Sequence, residues 1–137
     1  NKDCSTMKLP KSKNSPRKKL REEIGRLQYK LLLKERGELC EICQQRIATC
    51  RFHILPVGTY PRLEFHSENI LISDWNPCHF SWHHSYFKAQ RIEERIKELR
   101  GADYKERLQK ANATAPRLTT VYLRMLLAAY KEMSKCV

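Results

Sequence analysis

The sequence predicts a small α+β fold: a β, β, α unit with a helix on its N-terminal side and a helical extension on its C-terminal side. Three observations point there. Ser15-Pro16 and Asn76-Pro77 each pair a strong N-cap with a proline suited to the first helical position. Between them, the residues from His53 to Phe65 read as two short strands joined by a turn around Gly58 and Pro61. Beyond Gly101 the pattern returns to helical spacing with a broad apolar face.

Taken in order, residues 1–14 carry Lys2, Lys8, Lys11 and Lys13 against the single acid Asp3 and show no apolar period, so they are expected to form a basic disordered arm. From Ser15, Leu20, Ile24, Leu27 and Leu31 recur at helical spacing until Gly37 offers a stop. The opposite face carries Arg17, Lys18, Lys19, Arg21 and Arg26; such a face is usually only solvated, although it adds to the positive field. Residues 38–50 form a Cys-containing knuckle and the strand leaving it, which ends beside His53. The helix begun at Pro77 is expected to continue through Arg100, with Ile92, Ile96 and Leu99 inward and Gly101 as its stop. A short helix follows over 103–110. Thr119 or Thr120 then caps a last helix over 121–134, where Val121, Met125, Ala128 and Ala129 join Leu118, Leu126 and Tyr130 in an apolar face that either closes the core or pairs with a second subunit. The implied organisation is an arm (1–14), a core with its N-terminal helix (15–100) and a helical extension (101–137).

With 27 Lys and Arg against 15 Asp and Glu, the formal charge is +12, which points to a polyanionic partner. Arg17, Lys18, Lys19, Arg51, Arg62 and Lys88 are the candidates for backbone-phosphate contacts. They are spread along the chain rather than set on one groove-reading helix, which suits backbone and shape recognition. No apolar run of membrane-spanning length and no signal-peptide core is present, so the expectation is a soluble, intracellular protein without a membrane partner. Six cysteines (Cys4, Cys40, Cys43, Cys50, Cys78 and Cys136) are read as reduced thiols, because the Cys40-Glu41-Ile42-Cys43 spacing is that of a metal knuckle. Asn112-Ala113-Thr114 is then an incidental glycosylation match.

The chemistry-bearing residues concentrate between His53 and His83. His79 and His83 stand at i and i+4 of the expected helix, where two imidazoles share one face and can share one metal ion. His53 is the candidate general base, since a near-neutral imidazole can take a proton from water at cellular pH. Asn69 has no useful acid–base chemistry, so any role must be geometric: its amide can bridge backbone groups and hold the histidine ring. Read singly, a turn asparagine and a surface or core histidine are the plainer interpretations. Cys40, Cys43 and Cys78 supply three of the four ligands of a structural zinc. Trp75 stands where a second Cys pair would place the fourth. Asp74, Cys50 or His84 could complete the tetrahedron, or apolar packing around Trp75 could replace the metal.

At these residues the sequence resembles the HNH endonucleases, the ββα-metal group, with His53 as the first motif histidine, Asn69 as the asparagine, and Cys78-His79 with His83 as the helical end. The sixteen-residue interval from His53 to Asn69, the run Pro61-Arg62-Leu63-Glu64-Phe65 followed by Glu68-Asn69-Ile70, and the helical tail are similar to the phage NinG/Rap recombination endonucleases over roughly residues 20–133. That resemblance implies His79 and His83 as ligands of one catalytic divalent cation, Mg²⁺ or Mn²⁺; the structural Zn²⁺ is a separate expectation from the cysteine spacing. It implies a metal-dependent DNA endonuclease acting on branched recombination intermediates such as Holliday junctions and D-loops, as a homodimer, in the host bacterial cytoplasm if phage-encoded. Many HNH enzymes carry a further ligand directly before the first histidine; here that position is Phe52, and His66 is the nearest substitute donor. Two other readings stand beside it: an HNH enzyme nicking ordinary duplex, and a zinc-stabilised module that binds nucleic acid without cutting.

Overall fold

A computed structural model describes residues 15–135, so the expected arm over 1–14 lies outside the described residues, as do Cys4 and Cys136. The first helix, α1 (Pro16–Arg36), starts as expected, with Ser15 Oγ accepting from the Lys18 N–H at 3.2 Å and Pro16 in the first turn. It ends at Gly37, whose φ of 91° is the left-handed geometry that glycine tolerates. Its buried line differs from the expected stripe. Ile24 is buried, but the other buried positions are Gly25, Gln28 and Leu32, while Leu20, Leu27 and Leu31 sit at the margin. The reason is Arg51, whose guanidinium lies against Gly25 so closely that a Cβ there would collide with it. Its Nη1 donates to Gln28 Oε1 at 3.0 Å.

Strands β1 (Cys50–His53) and β2 (Ile70–Ser73) pair antiparallel, with Phe52 opposite Leu71 and His53 opposite Ile70. The second strand is therefore not the 62–65 segment. Pro61 fixes φ and lacks an N–H, and Pro61–Leu63 closes instead as a 3₁₀ turn, followed by a second over Ser67–Asn69. Every residue of β2 is buried because both faces are covered. Ile70 and Ile72 pack with Leu32 and Ala48 on the α1 side; Leu71 joins Phe52, Ile54 and Leu63 on the other. The knuckle satisfies β2's outer edge: the Glu41 N–H donates to Ile72 O at 2.9 Å, and the Ile72 N–H donates to Glu41 Oε2 at 2.8 Å.

The helix expected from Pro77 to Arg100 is two helices. A wide turn over Trp75–His79 leads into α2 (Phe80–His84), and Ser85, at φ −134° and ψ 111°, breaks the chain and caps α3 (Tyr86–Arg100) by accepting from the Lys88 N–H. A serine hydroxyl competes for backbone donors, which is why it serves better as a cap than inside a helix. Nor is Asn76 the first cap: its φ and ψ are extended, and Asp74 takes that place, Oδ1 accepting from the Cys78 N–H at 2.9 Å. Ile92 and Ile96 are buried as expected and Leu99 is half-buried. Gly101, at φ 100°, ends α3.

Helix α4 (Tyr104–Thr114) runs longer than its expected span, burying Tyr104 and Leu108 against α3. Helix α5 (Thr120–Lys135) is capped by Thr119 Oγ1, which accepts from the Tyr122 N–H at 3.1 Å. Its apolar face divides. Leu123 is fully buried with Ile24 and Phe65, flanked by Leu118, Leu126, Leu127 and Tyr130, so α5 closes the core against α1. Val121 and Met125 are 65% and 62% exposed on the other side, beside the exposed Ala128 and Ala129. The described chain is thus mixed α+β, five α-helices around a two-stranded antiparallel sheet, and none of those helices is long and apolar enough to cross a membrane.

Candidate metal and catalytic centre

His53 closes β1, and its ring is held by backbone rather than by a side chain. Its Nε2 lies 2.9 Å from the Glu64 carbonyl oxygen. A carbonyl only accepts, so Nε2 carries the hydrogen and the lone pair falls on Nδ1. Nδ1 has no hydrogen-bond partner among the described residues and is not sealed from solvent. Burial, helped by the Arg51 charge, lowers the His53 pKa from its ordinary value despite the opposing pull of Glu64. The ring is therefore neutral at pH 7, with a free basic nitrogen.

The second half of the centre comes from the end of the Trp75–His79 turn and from α2, so that His79 precedes the helix in which both histidines were expected. His79 and His83 lie one turn apart with ring centroids separated by 5.1 Å. His79 is wedged between the Phe52 ring at 5.1 Å and the Trp75 ring at 4.9 Å, with its Nδ1 at 3.2 Å from Cys50 Sγ. That contact leaves Nε2 as the nitrogen open to a further partner. Burial first, then the charges of His83 and His53, push the His79 pKa down to about 4. His53 is thus near enough to act electrostatically on His79, and neutral imidazoles are what a metal requires of histidine.

Asn69 is fully buried on the turn before β2. Its Oδ1 accepts from the Leu55 N–H at 2.8 Å, and its Nδ2 donates to Leu55 O at 3.1 Å and lies 3.5 Å from Leu63 O. The amide bridges backbone across the loop, but it does not touch the histidine ring as expected. The Glu64 carbonyl does that, because Leu63, held by Asn69, is its chain neighbour. Asn69→Ala leaves both polar groups of Leu55 unpaired inside the protein, an expected cost of about 2–5 kcal/mol. Urea unfolding with an unchanged midpoint would show that the bridge carries no such weight.

The cysteine cluster lies on the other side of the Asp74 turn. One potential ligand atom each from Cys40, Cys43, Asp74 and Cys78 lies within 4.8 Å of all the others, so the group could hold a metal ion. Asp74, rather than Cys50 or His84, completes the set; Cys50 faces His79, and His84 stacks on Phe80 at 4.2 Å. Apolar packing around Trp75 does not take the metal's place, since Trp75 is 52% exposed. Burial pushes the Cys40 and Cys78 thiols up, and at Cys78 the Asp74 carboxylate and Cys40 add to it. At Cys43 burial is outweighed by the backbone groups of Gln45 and Arg46, which bring its pKa down. Three sulfurs and a carboxylate so crowded fit a thiophilic divalent cation, which would relieve their mutual repulsion. The four described cysteines are free thiols.

The remaining candidates scatter. Lys18, Lys19 and Lys88 are exposed, and Arg17 and Arg62 face one cleft. Arg51 is half-buried, its guanidinium turned onto Gln28 and the Phe65 ring. His66 lines a pocket of about 210 Å³ with Tyr122 and Leu126, its Nδ1 buried and unpartnered, and no contact joins it to His79 or His83. Sequence reasoning missed the Glu64 carbonyl, which any residue could supply, and the Cys50–His79 contact, which the β1 pairing register creates. No protein-family model matches the chain, and no curated protein or solved structure matches it either.

Proposed function

We propose that this chain is a metal-dependent DNA endonuclease of the HNH kind, resembling the NinG/Rap enzymes, acting on branched recombination intermediates. The observation that carries the reading is His53: a neutral ring with its tautomer fixed by the Glu64 carbonyl, its Nδ1 without a protein partner and its charge felt at His79, in a chain of charge +12. In this reading His53 Nδ1 takes the proton from the attacking water. The Glu64 carbonyl steadies the imidazolium through Nε2–H, while Asn69 keeps the loop from shifting. His79 and His83 hold a divalent cation, Mg²⁺ or Mn²⁺, which when bound supplies charge stabilisation at the phosphate and the leaving oxygen. Cys40, Cys43, Asp74 and Cys78 hold a structural zinc. The exposed Val121–Met125 side of α5 offers a surface for the second subunit that symmetric cutting of a junction requires.

One observation favours a second reading, a nucleic-acid-binding module that does not cut. Phe52 stands where many HNH enzymes carry a ligand, and its ring is fully buried in the core. The test is cleavage of a four-way junction and of linear duplex with the same sequence, with added Mg²⁺ or Mn²⁺ and then with a chelator. Faster cutting of the junction, lost with the chelator and in His79→Ala or His83→Ala, is expected. Equal rates on both DNAs reject the branched substrate; no cutting of any DNA form rejects the nuclease.

A further inference from the structure

A cleft of about 700 Å³ opens beside the Pro61–Leu63 turn, whose Pro61 and Arg62 line it. Arg17, Arg21, Arg62 and Arg117 line it, and the carboxylate among its lining residues is Glu64. Two of these arginines are built into its walls by bonds to main chain: Arg17 donates to Leu118 O, and Arg62 Nη1 donates to Ala113 O at 3.3 Å and Ala115 O at 3.1 Å. Arg21 is paired with Glu64 at 2.9 Å. Arg117 has no side-chain partner among the described residues. Four guanidiniums against one carboxylate leave three unbalanced positive charges in a concave site, an arrangement that is unfavourable unless an anion enters. Each guanidinium also offers more donors than its protein bonds use, in the planar fork that suits phosphate oxygens.

We propose that this cleft grips a backbone phosphate of the DNA substrate at a position separate from the bond being cut. The proposal rests on the nuclease reading for the identity of the polyanion but not for the existence of the site. Glu64 ties the two places together. Its side chain lies in the cleft wall on Arg21, and its carbonyl holds His53. A strand seated on the arginines is therefore registered directly against the base, through a single residue.

The test uses the full chain with labelled junction DNA and no added divalent cation, so that binding is read apart from cleavage. Arg117→Ala is expected to weaken binding about tenfold and to lower the slope of log affinity against log salt by about one. It should leave thermal unfolding unchanged, since Arg117 supports no other side chain. Arg117→Lys should recover part of the loss. Lys34→Ala, with the same charge change at the opposite end of α1, should produce neither effect. Inorganic phosphate, which has the same oxygens but no chain, should displace the DNA only at concentrations where chloride of equal ionic strength does so too. The proposal is overturned if Arg117→Ala binds like Lys34→Ala, or if phosphate displaces DNA far below chloride, which would mark a small-anion site. Either result leaves metal-dependent cleavage standing. Conversely, a wild-type chain that never cuts, yet loses affinity on Arg117→Ala, refutes the nuclease and keeps the cleft.

Discussion

His53→Ala is expected to reduce DNA cleavage by about 10²–10⁴-fold while leaving DNA affinity essentially unchanged. The size follows from what the ring does in the proposed mechanism: its Nδ1, left free by the Nε2 contact to Glu64 O, takes the proton from the attacking water. Binding is spared because His53 is half-buried and neutral, and because the strong anion-attracting groups lie in the arginine cleft. The pH profile gives an independent check. Burial lowers the His53 pKa below its ordinary value of 6.5, so the basic form already dominates at neutral pH. Activity should therefore be level through neutrality and fall only on the acid side, with a midpoint below 6.5. Single-turnover cleavage measured across pH, paired with equilibrium binding of the same variant, decides the matter. Undiminished nicking by His53→Ala would remove this ring from the reaction.

The second large effect concerns the cysteine cluster. Cys78→Ser, or prolonged chelation, is expected to release one zinc per chain and to lower Tm steeply, with local opening of residues 40–47. Of that loop's aliphatic side chains, Ile42 packs against the main core. Leu39 and Ile47, which form the bridge at its base, are 51% and 66% exposed, so the knuckle leans on its ligands rather than on a core of its own. Structural zinc sites contribute apparent binding free energies of about 10–16 kcal/mol in small peptides, and losing even part of that exceeds the margin of most small domains. The damage should spread, because Cys78 immediately precedes His79 and Glu41 supplies the outer edge of β2. Metal analysis together with hydrogen exchange measures both consequences. A metal-free protein with native exchange protection at 40–47 would show that the cluster needs no ion.

Legibility in the sequence followed how local each cause is. The cap at Ser15, a cap at Thr119 or Thr120, and stops at Gly37 and Gly101 were readable because one side chain and its neighbours decide them. Asp74 as the fourth member of the cysteine cluster was one of three open choices, and only the turn that lets its carboxylate cap Cys78 singles it out. The second strand was misplaced because β2 is covered on both faces and so shows no alternation, while the segment 62–65 reads as extended until Pro61 turns it. The buried line of α1 was missed for a different reason. Gly25 and Gln28 are poor core formers by composition, and their burial depends on an arginine twenty-three or more positions away. Backbone acceptors such as the Glu64 carbonyl are invisible to any reading of residue types.

That Gln28 amide has a consequence for how the chain can be divided. Its nitrogen donates to Phe65 O at 2.8 Å and to the Tyr130 hydroxyl at 3.0 Å, and its oxygen accepts from Arg51 at 3.0 Å. One side chain on the first helix therefore fastens together the strand that carries His53, the loop whose carbonyl holds its ring and the final helix. The C-terminal third, which by position alone looks like a detachable module, is a keystone: removing it would strip a partner from the same amide that braces the strand beneath His53.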